Sequence, residues 1–260
     1  MASLAPGWRI QARVVKALLI RELSTRFGRE NIGFLWMMVE PMLFPALVAF
    51  MWRLMKGPEE HGISIVAFVV TGYVPLTLFR HAVSRSAGIF SANGSLMYHR
   101  QIKILDFIFV RFLIEMIGSM MAFVLIATVL IYFDLFPVPW SAGYLLGGWA
   151  IYCLFSFSLC LVLAPLSEVS EVIEKFLPVT TYIMIPFSGT FNQVSWLSPG
   201  IRDDILWSPF VDAMEMIRLG VFGYDVDPYF NVWIPIGESL VCMAVGLALC
   251  RRVRRRLIVE

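Results

Sequence analysis

The stretch AGYLLGGWAIYCLFSFSLCLVL, residues 142–163, contains no aspartate, glutamate, lysine, arginine or histidine. Crossing the ~30 Å hydrocarbon core of a bilayer takes about 20 apolar residues rising 1.5 Å each. Only a helix or a closed barrel satisfies its own backbone polar groups there. The stretch therefore predicts a membrane-spanning helix. Working outward, five further apolar segments stand out: 33–52, 63–79, 112–133, 176–191 and 230–250. The second and fifth of the six are short and need flanking residues to cross. Pro41, Pro45, Pro75, Pro178 and Pro186 predict kinks in these helices rather than interruptions. Composition agrees. Hydrophobic residues make up 59% of the chain and charged residues 15%, with a mean hydropathy of +0.77, where a soluble domain carries about 25% charge. A soluble fold of 260 residues would lack the interior to hide so much apolar surface. The expected fold class is an all-α integral membrane protein with six transmembrane helices, a single transmembrane domain over residues 1–260.

Charge placement predicts orientation. Assigning the segments between spans alternately to two sides puts seventeen of the 21 lysines and arginines on one side, in 1–32, 80–111, 164–175 and 251–260. The other side carries Arg53, Lys56, Arg202 and Arg218. Basic loops stay cytoplasmic, so both termini are expected in the cytoplasm and the number of spans is even. The net charge of +2 gives no support for nucleic-acid binding. Four cysteines, Cys153, Cys160, Cys242 and Cys250, lie within apolar runs without a C-x-x-C pair, and there are three histidines. Zinc, a disulfide framework and a resident cofactor are not expected.

Before the first span, Arg9, Arg13 and Lys16 recur at helical spacing beside Ile10, Val14 and Leu18, with Trp8 at the start. This pattern predicts an amphipathic helix over 8–28 in the headgroup plane, against the plainer reading of a basic leader that sets topology. The arginines there also interrupt any cleavable signal core. Two connections are too long for turns. The stretch 80–111 joins spans two and three on the cytoplasmic side. The outer stretch 192–229 holds two short apolar pieces separated by Pro209, with Asp203, Asp204, Asp212, Glu215 and Arg218 running through them. Neither piece can cross a bilayer, and an outer re-entrant helical hairpin between spans five and six fits them.

The chemistry is bounded as well. None of the lysines, Lys16, Lys56, Lys103 and Lys175, follows a glycine, so no P-loop can hold ATP phosphates. No G-x-S-x-G or H-E-x-x-H signature is present. Acidic residues occur near the membrane at Glu40, Asp106, Glu115 and Glu238, and Glu40 and Glu238 lie well inside the first and last spans. Such residues read either as parts of a transport path or as structural hydrogen-bond partners.

The run RELSTRFGRENIGFLW of residues 21–36, followed by Glu40-Pro41, resembles the opening segment of bacterial capsular-polysaccharide ABC-exporter permeases. So do Asn93, Leu96, Tyr98, Gln101, Lys103, Asp106 and Arg111 in the cytoplasmic stretch, and Leu206-Trp207-Ser208-Pro209-Phe210 with Glu215 and Arg218 in the outer one. Ser208 and Asp212 depart from the asparagine and histidine common in that family's outer motif. The resemblance implies the membrane subunit of an ATP-driven exporter of capsular polysaccharide, not itself an enzyme, working as a homodimer with two copies of a separate ATP-binding subunit. It implies membrane lipid and export components of the periplasm and outer membrane as further partners. It implies ATPase coupling through Asn93, Leu96, Tyr98, Asp106 and Arg111, and an outer gate at Trp207, Pro209, Glu215 and Arg218. Trp36, Glu40 and Glu238 are the candidates for the translocation path. Competing readings are the same architecture with another cargo (O-antigen, teichoic acid or a drug), a proton-coupled transporter using Glu40 and Glu238, and a membrane glycosyltransferase.

Overall fold

The computed structural model describes residues 4–28, 32–97 and 102–257. The first helix, α1 (Leu4–Phe27), packs Val14, Val15, Leu18, Leu19 and Leu23 against the bundle and leaves Arg9, Arg13 and Lys16 exposed. Ile10 of the expected apolar stripe is exposed as well. Helix α2 (Ile32–Lys56) tolerates Pro41 and Pro45 within its length. It stops at Gly57, whose φ of +94° suits glycine and whose amide bonds back to the Arg53 carbonyl at 3.1 Å. A two-stranded hairpin, β1 (Glu59–Glu60) and β2 (Ile63–Ser64), then turns through His61 and Gly62. It leads into α3 (Ile65–Ser86), which is buried along almost its whole length and packs against α2 and against later helices at Ile104–Tyr132, Ala142–Val169, Glu171–Ile183 and Pro209–Phe222.

The connection that follows is shorter than the sequence suggests. Residues 80–86 complete α3 and residues 104–111 begin the next long helix, so only 87–103 link them, with a short helix α4 (Gly94–Met97) inside. Hydropathy ended these spans early because Arg80, Arg85 and Arg111 sit within the helices. Helix α5 (Ile104–Tyr132) opens on a capping contact in which Asp106 accepts from the Lys103 amide at 2.9 Å. Helix α6 (Ala142–Val169) carries the charge-free stretch. It ends at Ser170, whose extended backbone separates it from α7 (Glu171–Ile183). A 3₁₀ turn, Ile185–Ser188, closes on Gly189 at φ +71°. Three more helices complete the chain: α8 (Pro199–Ile205), α9 (Pro209–Phe222) and α10 (Trp233–Leu257).

Among the described residues, five helices are long and apolar enough to cross a membrane: Met38–Lys56, Ile65–Ser86, Ile104–Tyr132, Ala142–Val169 and Trp233–Arg254. The expected fifth span, 176–191, is not one of them. Its residues divide between α7, the 3₁₀ turn and the turn and bend at 189–191.

Helix α6 serves as a ruler for the rest. Cys242 of α10 meets Ser158 and Gly246 meets Leu161, so α6 and α10 run in the same direction. A Cβ on Gly246 would lie 2.7 Å from the Leu161 carbonyl carbon, and the absent side chain is what lets these helices close. Helix α9 runs the opposite way along α6. Its first residues touch mid-α6, with the Phe210 ring 5.4 Å from Tyr152 and 4.9 Å from Phe155. Its last turn reaches the start of α6, where the Ser141 amide donates to the Gly220 carbonyl at 2.9 Å. The chain between α6 and α10 must therefore travel back along the bundle, and α7 with its 3₁₀ turn makes that return.

Candidate functional site

Two polar clusters form at different places in this bundle. The first joins the end of α1 to α2, α3 and α5. Glu115, buried in α5, accepts from Arg85 of α3 at 2.8 Å and from Arg26 of α1. Arg85 also reaches Glu40 of α2 at 2.9 Å, and the His81 ring lies 3.9 Å from Glu40 and 3.7 Å from Glu115. Beside them, Arg111 Nε donates to Glu22 at 2.9 Å, and its Nη1 donates to the Arg85 carbonyl at 2.7 Å. Arg21 donates to Asn93 at 2.9 Å, and Gln11 donates to Asp106. Each of these residues lies on a helix whose apolar face fixes its position, so the cluster links four helices through charged side chains.

Electrostatics explains why the partners gather. A carboxylate surrounded by apolar helices is costly unless paired and hydrogen-bonded. Two arginines and two glutamates balance here, and an arginine can hold two carboxylates at once through its forked donors.

The second cluster binds α9 to the segment before it. Glu215 accepts from the Gln193 amide at 2.7 Å, the Val194 backbone at 3.2 Å and the Tyr229 backbone at 3.4 Å. Arg218, one turn on, donates to the carbonyls of Thr190 and Asn192, each at 2.9 Å, and lies over the Phe68 ring of α3. Both side chains are fully buried. Burial pushes the Glu215 carboxyl up to about 7, and the Arg218 charge opposes the shift. Asp212 accepts from the Asn231 amide at 2.8 Å, and burial pushes it up to about 6. The Ser208 hydroxyl donates to the Phe187 carbonyl at 2.9 Å, tying the start of α9 to the 3₁₀ turn.

The expected coupling residues Asn93, Asp106 and Arg111 thus fall together against α1, and Leu96 packs onto the core. Tyr98 lies outside the described residues. Pro209, Glu215 and Arg218 gather at α9, whereas Trp207 is 72% exposed and joins nothing there. The three path candidates are not brought together. Trp36 is 53% exposed on α2, Glu40 belongs to the ion cluster, and Glu238 is partly buried on α10 with no hydrogen bond to any described residue. Sequence reasoning gave no role to Glu22, Arg26, His81, Arg85 or Gln193, and named Glu115 only as an acidic residue near the membrane. The available signal was the charge at 81, 85 and 115 inside apolar helices.

Comparison with known proteins follows the same outline. The capsule polysaccharide export inner-membrane protein CtrC of Neisseria meningitidis serogroup B is 39% identical over 92% of this chain and 91% of its own length. The capsule polysaccharide export inner-membrane protein BexB of Haemophilus influenzae is 35% identical over 93% and 91%. The polysialic acid transport protein KpsM of Escherichia coli is 25% identical over 94% and 95%. Residues 13–222 match the sequence model of the ABC-2 type transporter, and the chain belongs to that family.

Proposed function

We propose that this chain is the membrane subunit of an ATP-driven exporter that moves capsular polysaccharide across the bacterial inner membrane. One observation carries this: 39% identity to a capsule export protein along nearly the whole of both chains. The chain has no Gly-Lys for a phosphate loop, so hydrolysis falls to a separate ATP-binding subunit. Two copies of each subunit would make the transporter, with export components of the periplasm and outer membrane beyond it.

Six crossings fit this reading. The common direction of α6 and α10 supports a sixth, made by α7 and the residues that continue it. Both termini then face the cytoplasm, in keeping with the arginines at 251, 252, 254, 255 and 256. Helix α1 lies in the headgroup plane, with its exposed basic residues toward lipid phosphates. Asn93, Leu96, Tyr98, Asp106 and Arg111 carry motion from the ATPase, and the links from Arg21, Glu22 and Gln11 support that role by tying them to α1. Trp36, Glu40 and Glu238 remain the candidates for the path.

Helices α8 and α9 form the re-entrant hairpin of the outer gate, with Trp207 and Pro209 at its tip and Glu215 and Arg218 locking it. The reach of α9, from the middle of α6 to its start, supports this.

Deletion of the gene should abolish surface polysaccharide without abolishing its synthesis, leaving polymer in the cytoplasm. Tagged protein should co-purify with a P-loop ATPase in equal amounts. Normal surface polysaccharide in the deletion strain would refute the proposal.

A further inference from the structure

Arg80 has no partner of the kind that four other helix arginines have. Arg26, Arg85, Arg111 and Arg218 each meet a carboxylate. Arg80, on α3 between Phe79 and His81, makes no ion pair or hydrogen bond to any described residue, and its Nε is buried without a partner. Its guanidinium lies over the Tyr182 ring of α7, 3.9 Å from the centroid. The depth is not that of a helix end, because the preceding Phe79 packs at 4.5 Å on Phe210, level with the middle of α6. A charge held at that depth without a counter-ion is costly. A guanidinium over a ring uses its face and, with Nε buried, leaves its Nη N–H groups for an anion.

The surroundings suit a sugar chain. Tyr182, beneath the guanidinium, is exposed, and Tyr73, two turns back on the same face of α3, holds the exposed Phe44 ring at 5.4 Å. Pyranose rings present C–H faces that stack on such surfaces. We propose that Arg80, stacked on Tyr182, forms a binding site for the carboxylate or phosphate groups of an acidic glycan moving past α3. The proposal deepens the export reading and rests on it. The site holds each charged residue of the polymer briefly and favours acidic over neutral chains.

The test uses the full chain in zwitterionic lipid nanodiscs, with oligosialic acid and a neutral maltooligosaccharide of equal length as probes. Wild type should bind the acidic oligomer. Arg80→Met should weaken that binding about tenfold or more, a loss typical of one charged contact, while Arg80→Lys keeps most of it. Binding of the neutral oligomer should be the same in all three. Arg80→Met removes a charge rather than half of a pair, so the melting temperature should hold or rise. If it fails to accumulate, Arg80→Gln carries the same comparison. Equal loss for both oligomers, or undiminished acidic binding in the variant, overturns the site. So does acidic binding that vanishes when phosphatidylglycerol replaces the zwitterionic lipid, since a lipid headgroup then occupies it. In cells, a deletion that leaves surface polysaccharide intact defeats the export reading. A deletion without surface polysaccharide, alongside full export of an acidic capsule by Arg80→Met, defeats the site alone.

Discussion

Glu115 stands in α5 where an apolar residue would satisfy the bilayer, and only its partners make it tolerable. Its side chain is 7% exposed and holds Arg26 and Arg85. Removing one member of a buried pair leaves the other uncompensated, at about 3–5 kcal/mol. Glu115→Ala should therefore cost about 3 kcal/mol, read as the unfolding midpoint in mixed micelles. Glu40→Ala should cost about 1 kcal/mol or less, because Glu40 is 35% exposed and Arg85 keeps Glu115. Equal costs would mean that Arg85 does not favour one carboxylate over the other. Asp212 offers a pH-dependent case. Its Oδ2 is buried without a hydrogen bond, and burial raises its carboxyl from 3.8 to about 6. The folded state then holds a proton that the unfolded chain has lost, so stability falls as pH rises from about 4 to about 6. Asp212→Asn should stabilise by about 1–2 kcal/mol at pH 7.5 and by almost nothing at pH 4. A gain unchanged between those pH values would point to packing instead. These pairings were only partly legible in sequence. Asp106 and Arg111 could be singled out, but their partners Gln11 and Glu22 lie 95 and 89 residues away, and only the fold brings them near.

At the scale of elements, the long helices were readable because each contains an apolar run of near-bilayer length. Span 142–163 needed nothing beyond its own residues, and α6 overruns it by one turn and a half. The return segment was harder to read. Pro178 and Pro186 remove backbone donors, Ser170 breaks the helix before α7, and Gly189 takes a left-handed backbone, so the apolar run 176–191 never becomes one helix. What holds α9 in place is packing that no periodicity announces. A Cβ on Gly220 would fall within the Leu145 backbone, and there the α9–α6 contact closes. Gly220→Val should push α9 away from α6, cost about 1–3 kcal/mol and sharply reduce surface polysaccharide. Gly200→Ala in α8, where the new methyl meets nothing, should change neither by a measurable amount. Equal behaviour of the two variants would show that the close approach of α9 to α6 is dispensable.

For the whole molecule, the decisive quantity is how many times the chain crosses the bilayer. Hydropathy and charge argue for six, whereas among the described residues five helices are long enough by themselves. The geometry narrows the choice. Helices α6 and α10 run the same way, so if each crosses in that direction, the residues between them must cross once in reverse. That crossing is short in helix, since α7 has 13 residues and covers about 20 Å. The 3₁₀ turn, the irregular residues after it and a second 3₁₀ turn at Val194–Trp196 supply the rest, and the Trp196 ring packs on Phe68 and His61 near the start of α3. Non-helical backbone at membrane depth is stable where protein covers it, and Glu215 and Arg218 bind the carbonyls and amides of that segment. Single cysteines at Lys175 and Asp203, both exposed, in a chain whose four native cysteines are replaced, separate the alternatives. With six crossings, an impermeant thiol reagent added outside the inner membrane labels the cysteine at 203 and spares the one at 175 until the membrane is opened. Labelling of both from the same side would place α7 on one face of the membrane and reduce the chain to five crossings.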